Sequence, residues 1–356
     1  MIILLLGYVL SPVNVVIYGV GEIGGAIAKF LLEKPGVSIT GAVDIDKSKV
    51  GKDLGEILNI GYKTGIKISS NIDAVLSDAK ADIAIHATTS YLRDVYPQIC
   101  ELVKWNLNVI STCEELSYPY ISEPELASKL DKLAKKHSVA ILGTGINPGF
   151  IMDTLVIALT SVCQKIDKIN VVRVVDASKR RLSFQRKIGV GLTLKEFERA
   201  VTSQNITGHI GLKQSIAMIA SALSWNLQEV QVKPIEPVIS ATPIEFGDYQ
   251  ILRGQVLGIK QQAIGVINGK ESIRLEFQAY LGAEEYDAIT IHGVPELRQK
   301  IQPCIHGDIG TVAIITNFIP KILSAPAGLL TMKDLPLPSA FFGETFRQFK
   351  SLKRKR

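Results

Sequence analysis

The sequence predicts an α/β protein in which an N-terminal doubly wound parallel sheet is followed by an α+β domain with an open mixed sheet. Three observations carry that prediction. Short β-branched runs alternate with helical segments from Asn14 to Leu142. A series of glycines separates the first such run from the first helix. After Phe150 the alternation stops, and helices are followed by long segments of alternating polarity.

Asn14 to Tyr18 has the length and branching of a buried parallel strand. Glu22 to Glu33 has helical periodicity, with Ile23, Ala26, Ile27, Phe30 and Leu31 on the apolar side. Between them stand Gly19, Gly21 and Gly24. The first suits a tight strand-to-helix turn, the second a close approach of backbone to a pyrophosphate, and the third close packing of helix on strand. The helix N-terminus adds free N–H groups and a positive dipole end. A second strand, Val37 to Val43, ends in Asp44, twenty residues past Gly24, where a carboxylate reaches an adenosine ribose. This is a Rossmann fingerprint in its required context, and the cofactor is NAD or NADP. Asp44 disfavours a 2′-phosphate, whereas Lys47 and Lys49 suit one if Asp44 turns away, so the preference stays open.

Strands are expected at Gly65–Ser69, Asp82–Ala87, Asn108–Thr112 and Val139–Leu142, and helices at Tyr91–Trp105 and Pro124–Lys136. Ligands of such sheets bind beyond the carboxyl ends of strands. Three polar loops leave those ends: His86–Ser90 (HATTS), Ser111–Leu116 (STCEEL) and Gly143–Phe150 (GTGINPGF). All three are expected to line one crevice. Cofactor contacts are expected from Gly19, Gly21, Glu22, Ile23 and Gly24, from Asp44 and Lys47, and from His86, Ala87, Thr88, Thr89, Ser111, Thr112, Asn147 and Pro148. Gly145 and Ile146 fall on the substrate side. Glu114 and Glu115 leave a buried strand beside the nicotinamide position, where a carboxyl can exchange protons near neutral pH. An adjacent pair of glutamates equally suits the capping of a helix.

The bulk composition excludes several functions. The formal charge is +6, but Arg347, Lys350, Lys353, Arg354, Lys355 and Arg356 crowd the last ten residues, and the body is near neutral. No basic surface for nucleic acid is indicated, and the tail reads as a frayed, solvated terminus. Cys100, Cys113, Cys163 and Cys304 form no CxxC pair, so neither a metal site nor a disulfide scaffold is expected, and a cytoplasmic location fits. The opening MIILLLGYVL is too short to span a bilayer and lacks a basic leader region. It reads as an extension ahead of the first strand, or as a start codon placed too early.

The series GVGEIGG, HATTS, NVISTCEELSYP, LGTGINPGFIMD, FQRKIGVGL, GHIGL and APAGLLTMKDLPLP resembles the 2,4-diaminopentanoate dehydrogenases and the related native amine dehydrogenases. Both belong to the dihydrodipicolinate-reductase-like superfamily, and the resemblance runs from about Val13 to about Pro338. It implies interconversion of a ketone plus ammonia with an amine, at the expense of NAD(P)H, by a homodimer. It places the catalytic glutamate at Glu114, with Glu115 as alternate, and a pocket histidine at His209. On residues alone, His209 suits a core or capping role equally well. The His-His-x-x-Lys run of true dihydrodipicolinate reductases is absent: the corresponding VVDASKRRLSFQRKIGVG has no histidine. At Gln214 the resemblance implies a glutamate. If that acid holds the 2-amino group of diaminopentanoate, a different amine becomes the better substrate. The rival readings are a reductase of a cyclic imine or semialdehyde, and an NAD(P)-binding redox sensor without turnover.

In the C-terminal half a strand is expected at Ile169–Val175, helices at Leu194–Val201 and Leu212–Leu223, and strands within Glu229–Ser240, Gln250–Val266 and Ser272–Leu281. Lys179, Arg180, Arg181, Arg186 and Lys187 form a basic loop. It is either solvated or a carboxylate clamp in which Arg181 or Arg186 makes the contact. Asp308–Lys321 is expected to be an amphipathic helix returning to the first domain, with Asp308 as its N-cap or a first-turn acid. The expected limits are 13–147 for the dinucleotide domain, 148–305 for the α+β substrate and oligomerisation domain, 306–340 for the returning segment and 341–356 for the tail.

Overall fold

The computed structural model describes residues 12–246 and 249–340. The apolar opening and the basic tail lie outside the described residues. The chain divides into two compact units, one ending at Ile146 and resuming at Asp308, the other running from Asn147 to Gly307.

The first unit is a parallel sheet of seven strands. They are β1 (Val13–Tyr18), β2 (Val37–Val43), β3 (Ile68–Ser69), β4 (Ile83–His86), β5 (Asn108–Ser111), β6 (Ala140–Gly143) and, from the far end of the chain, β16 (Gly328–Leu330). Their order is β16-β6-β5-β4-β1-β2-β3. The chain reverses direction of travel between β1 and β4, which pair from Val15↔Ile83 to Tyr18↔His86. Ligands of open parallel sheets bind at such a switch point. The connecting helices are α1 (Glu22–Leu32), α2 (Leu54–Ile57), α3 (Ile72–Asp78), α4 (Leu92–Lys104) and α5 (Pro124–Lys136).

Helix α1 corrects one expectation. Its buried stripe is Gly24, Ile27, Ala28 and Leu31, with Gly25 beside it. Ala26 and Phe30, both expected on the apolar side, are exposed, and Phe30 lies under the Lys34 ammonium, 4.9 Å from its ring centre. The helix packs so close to the sheet that glycine and alanine, not phenylalanine, face the core.

The second unit contains β7 (Lys165–Asp176), β8 (Leu227–Val232), β9 (Glu236–Ile239), β10 (Ile244–Phe246), β11 (Tyr249–Ile251), β12 (Val256–Ile267), β13 (Lys270–Tyr280), β14 (Tyr286–Val294) and β15 (Leu297–Ile301). The main sheet runs β15-β14-β7-β13-β12-β8, with β9 also on β12. Only β7 and β13 pair in parallel among its described neighbours. This is the open mixed sheet expected. Helices α6 (Thr154–Thr160), α7 (Leu182–Lys187), α8 (Leu194–Thr202) and α9 (Leu212–Ala222) complete the unit. The core gathers Ile169, Val171, Phe197, Ile216, Ile259 and Leu275 among others.

Two long strand expectations resolve into pairs. Glu229–Ser240 breaks between β8 and β9, where Pro234 cannot donate to a ladder. Gln250–Val266 breaks between β11 and β12 at a turn in which Gly254 has φ +87°. Helix α10 (Gly307–Leu323) has Asp308 in its first turn. It is not amphipathic, however: from Ile314 to Leu323 most of its residues are buried, whichever way they face.

Candidate active site

Each fingerprint glycine has its own structural reason. Gly19 has φ +94°, and a Cβ there would collide with the Ala87 carbonyl. A Cβ on Gly24 would collide with the Gly19 carbonyl. Gly21 differs: its backbone is ordinary, φ −80°, and a Cβ would meet nothing within 4 Å. The protein itself does not need glycine at this position. The open space before the N-terminus of α1 is a cradle that a side chain would fill, and it fits a dinucleotide pyrophosphate. Glu22 is exposed and Ile23 half-buried at its rim. Gly21→Val is therefore expected to leave the melting temperature unchanged while abolishing NAD(P)H binding in a fluorescence titration. Unchanged affinity would remove the cradle from the binding site.

Asp44 does not turn away. Its Oδ2 accepts from the Val20 N–H at 2.8 Å and from Lys49 Nζ at 3.1 Å, and its Oδ1 accepts from the Asp46 N–H at 2.9 Å. Partial burial alone would raise this carboxyl's pKa. The two backbone donors and Lys49 outweigh that and hold it below the usual value. Lys49 also lies 3.6 Å from Asp46, while Lys47 is exposed.

The loops after β4, β5 and β6 are laced together. Thr112 N–H donates to the His86 carbonyl at 2.9 Å, and Thr144 N–H to that of Ser111 at 2.9 Å. Cys113 Sγ and the Glu115 N–H both donate to the Ser90 carbonyl, at 3.2 and 3.1 Å. Gly143 passes so close to the Leu116 backbone that no Cβ fits. Ala87 N–H continues the β1 ladder to Tyr18, and Thr88 and Thr89 are exposed. Gly145 and Ile146 are buried, the latter donating its N–H to Thr311 Oγ1 at 3.3 Å.

His86, expected among the cofactor contacts, has a buried ring with both nitrogens engaged. Nε2 lies 2.7 Å from Gln98 Oε1 and Nδ1 2.9 Å from Ser111 Oγ. Since Gln98 Oε1 can only accept, Nε2 carries the proton and Nδ1 accepts from the serine. Burial lowers its pKa to about 4, so the ring is neutral at pH 7. Ser111 Oγ in turn accepts from the Cys113 N–H at 3.1 Å. His86 thus braces the STCEEL loop from beneath.

The two glutamates separate cleanly. Glu115 Oε2 accepts from the Leu92 N–H at 2.8 Å, capping α4, whose own N-cap Tyr91 offers no side-chain acceptor. Glu114 is half-buried. Its carbonyl accepts from the Ser117 N–H and from Ser117 Oγ, at 3.2 and 2.7 Å, which fixes the turn that presents it.

In the second unit, Asn147 and Pro148 are joined by a cis peptide, and the buried Asn147 amide has no hydrogen-bond partner among the described residues. The following turn is held by Asp153. This residue, fully buried, accepts from Gly149 N–H at 2.8 Å, Ser215 Oγ at 2.7 Å and Thr154 N–H at 2.6 Å. Burial pushes its carboxyl up despite those bonds. Gly211, φ +119°, packs against the Pro148 ring where a Cβ would clash. Asp153 was not singled out in the sequence; an Asp-Thr pair opening an apolar helix is an N-cap signal that could have found it. His209 stacks on Phe277 with ring centres 4.5 Å apart, and its backbone N–H donates to Gln261 Oε1 at 2.8 Å. Its Nε2 is buried without a partner among the described residues, and burial, with Arg173 and Lys187, lowers its pKa to about 3. Gln214 is buried on α9.

The basic loop is not uniform. Lys179 is paired with Glu285 at 2.7 Å, and Arg180 stacks on Phe184 at 4.6 Å. Arg181 is half-buried with Nε on Ser183 Oγ at 3.1 Å, and Arg186 is exposed.

The strand order, the open glycine cradle at its switch point and the appended α+β unit define a nicotinamide-dependent dehydrogenase. Residues 150–351 match the profile of the 2,4-diaminopentanoate dehydrogenase C-terminal domain, and residues 13–113 that of the dihydrodipicolinate reductase N-terminus. The chain is 35% identical over 349 residues to 2,4-diaminopentanoate dehydrogenase of Acetoanaerobium sticklandii, covering 94% of this chain and 96% of the relative. It is 20% identical over 353 residues to an amine dehydrogenase of Streptomyces virginiae, covering 92% and 97%. The solved amine dehydrogenase of Mycobacterium smegmatis superposes with a TM-score of 0.81 at 25% identity, over 93% of this chain and 98% of that one. The chain belongs to the 2,4-diaminopentanoate dehydrogenase family.

Proposed function

We propose that the protein interconverts the amine-bearing carbon of 2,4-diaminopentanoate with the corresponding ketone and free ammonia, using NAD or NADP. The observation that carries this reading is Glu114. It is a half-buried residue whose backbone turn is fixed by Ser117 at the carboxyl edge of the sheet, while its neighbour Glu115 caps α4. A nicotinamide held by these residues would supply the hydride chemistry. In the reductive direction Glu114 relays a proton from nitrogen to oxygen as ammonia adds to the carbonyl, giving the neutral carbinolamine; reprotonated from solvent, it then protonates the hydroxyl as water leaves. Its carboxylate then stabilises the iminium cation by charge. Asp44 accepts from the adenosine ribose, and the Gly21 cradle takes the pyrophosphate.

Arg186 or Arg181 clamps the substrate carboxylate. Arg186→Ala and Arg181→Ala are each tested by steady-state kinetics. One of them is expected to raise KM for amino-acid substrates by about tenfold or more, the scale of a lost charged hydrogen bond, with KM for simple amines unchanged. Equal effects on both substrate classes would leave these arginines as solvated charge.

Members pair as homodimers through the open sheet face in this reading. A cytoplasmic location is proposed with it; no helix among the described residues is long and apolar enough to cross a membrane. The deciding assay is NAD(P)+ reduction across diamines, amino acids and simple amines, with ketone reduction measured with and without ammonia. Turnover of 2,4-diaminopentanoate and strict ammonia dependence are expected. Reduction without ammonia would favour a different reductase.

A further inference from the structure

Glu114 lies between two residues whose hydrogen bonds lead back to the β4 end and the loop that follows it. On one side, the Cys113 N–H donates to Ser111 Oγ at 3.1 Å and Cys113 Sγ to the Ser90 carbonyl at 3.2 Å. On the other, the Glu115 N–H donates to that same carbonyl at 3.1 Å, and the Glu115 carboxylate accepts from the Leu92 N–H. The backbone on both sides of Glu114 is thereby fixed, and with it the direction in which its side chain leaves the chain. Ser111 is held in turn by His86. Gln98 Oε1, on α4, takes the Nε2 proton at 2.7 Å and the Thr88 hydroxyl proton at 2.8 Å, which leaves Nδ1 as an acceptor 2.9 Å from Ser111 Oγ. The serine proton is committed to Nδ1, so the lone pairs of Oγ turn toward the Cys113 N–H. The relay has one direction: Gln98 sets the tautomer, the tautomer orients the hydroxyl, and the hydroxyl holds the residue before Glu114. His86, Ser111 and Cys113 are 0%, 0% and 1% exposed, so bulk water cannot replace a lost member.

We propose that His86 is a positioning residue for Glu114: through Ser111 it sets the backbone that aims the Glu114 carboxylate, while its own buried ring is closed to substrate and cofactor. This rests on the reading of Glu114 as the proton shuttle.

The variants His86→Phe, His86→Asn and Ser111→Ala test it, each made alone and together with Glu114→Gln. Three quantities are measured: kcat for oxidation of 2,4-diaminopentanoate, Kd for the reduced cofactor, and melting temperature. His86→Phe keeps a ring without an acceptor, and Ser111→Ala removes the link. Each is expected to lower kcat by about ten- to a hundredfold with cofactor Kd unchanged, the scale of a misplacement of about 1 Å caused far from the chemistry. His86→Asn puts an amide oxygen near the position of Nδ1 and should recover most of that loss. In the Glu114→Gln background neither His86→Phe nor Ser111→Ala should lower kcat further, since nothing is left for them to position. A residue that only supports the fold would instead slow both backgrounds by the same factor. That equal factor, an unchanged kcat in the folded single variants, or an asparagine variant no faster than the phenylalanine one would each overturn the proposal. If His86→Phe does not fold, Ser111→Ala carries the comparison between the two backgrounds. Full turnover in Glu114→Gln itself would remove the reading of Glu114, and the proposal with it, whatever the His86 variants do.

Discussion

Glu114→Gln is expected to lower turnover by about two to four orders of magnitude, the usual cost of a lost acid–base group. Cofactor affinity and melting temperature should stay at wild-type values, because glutamine fills the same volume and the Ser117 bonds go to the backbone carbonyl of residue 114. Glu115→Gln is the control. Its amide oxygen can still accept from the Leu92 N–H, so turnover should stay close to wild type. Glu115→Ala should instead cost about 1 kcal/mol of stability through the uncapped α4. Pre-steady-state kinetics and thermal denaturation separate the two glutamates. A dead Glu115→Gln beside an active Glu114→Gln would exchange their roles, and full activity in both would leave the reaction without its proton shuttle.

Asp287→Ala is the stability counterpart. Asp287 and Arg173 are each 2% exposed and meet at 2.6 Å. The guanidinium also donates to the Ile305 carbonyl at 2.6 Å, and the Ile305 N–H returns a bond to Asp287 at 2.9 Å. Together these four groups fasten the segment after β15 to the centre of the second sheet. Removing the carboxylate strands a buried cation, at a cost of about 3–5 kcal/mol. Urea denaturation should show this as a lower midpoint at unchanged slope. Replacing both partners by apolar residues, Arg173→Met with Asp287→Leu, should recover most of the loss, because no uncompensated charge then remains. A loss below about 1 kcal/mol for Asp287→Ala would mean that water reaches the pair.

The legible parts of this protein are those whose cause is local. The turn at Gly19, the helix that follows it and the strand ending in Asp44 follow from residues within one βαβ unit, and they appear where the spacing puts them. The less legible parts depend on partners far along the chain. Glu115 could not be told from Glu114 by inspection, because the N–H it caps lies 23 residues earlier. Strand β14 pairs with β7 across more than a hundred residues, a partner that local spacing does not disclose. The buried stripe on α1 is rotated from the one that apolar periodicity predicts, because close helix–sheet packing puts Gly24 and Gly25 in the core in place of larger side chains. The state of Asp44 does not follow from its own segment, since three of its acceptor positions are filled by groups on two different loops.

The strand order of the first unit also sets a schedule for its synthesis. Strand β16 pairs with β6 from Gly328↔Ala140 to Leu330↔Leu142. It is pinned further by the Leu329 N–H to Asp131 and by Tyr120 Oη to the Leu329 carbonyl, both at 3.1 Å. While residues 147–307 are still leaving the ribosome, β6 is a bare edge that can recruit a foreign strand. The unit that begins first is therefore finished last, after the whole of the inserted unit has been made, in contrast to the N-terminal-first order usual for tandem domains. A nascent chain stopped near Gly307 has all the residues of the second unit but lacks the last strand of the first, and premature termination there is expected to give an aggregation-prone product.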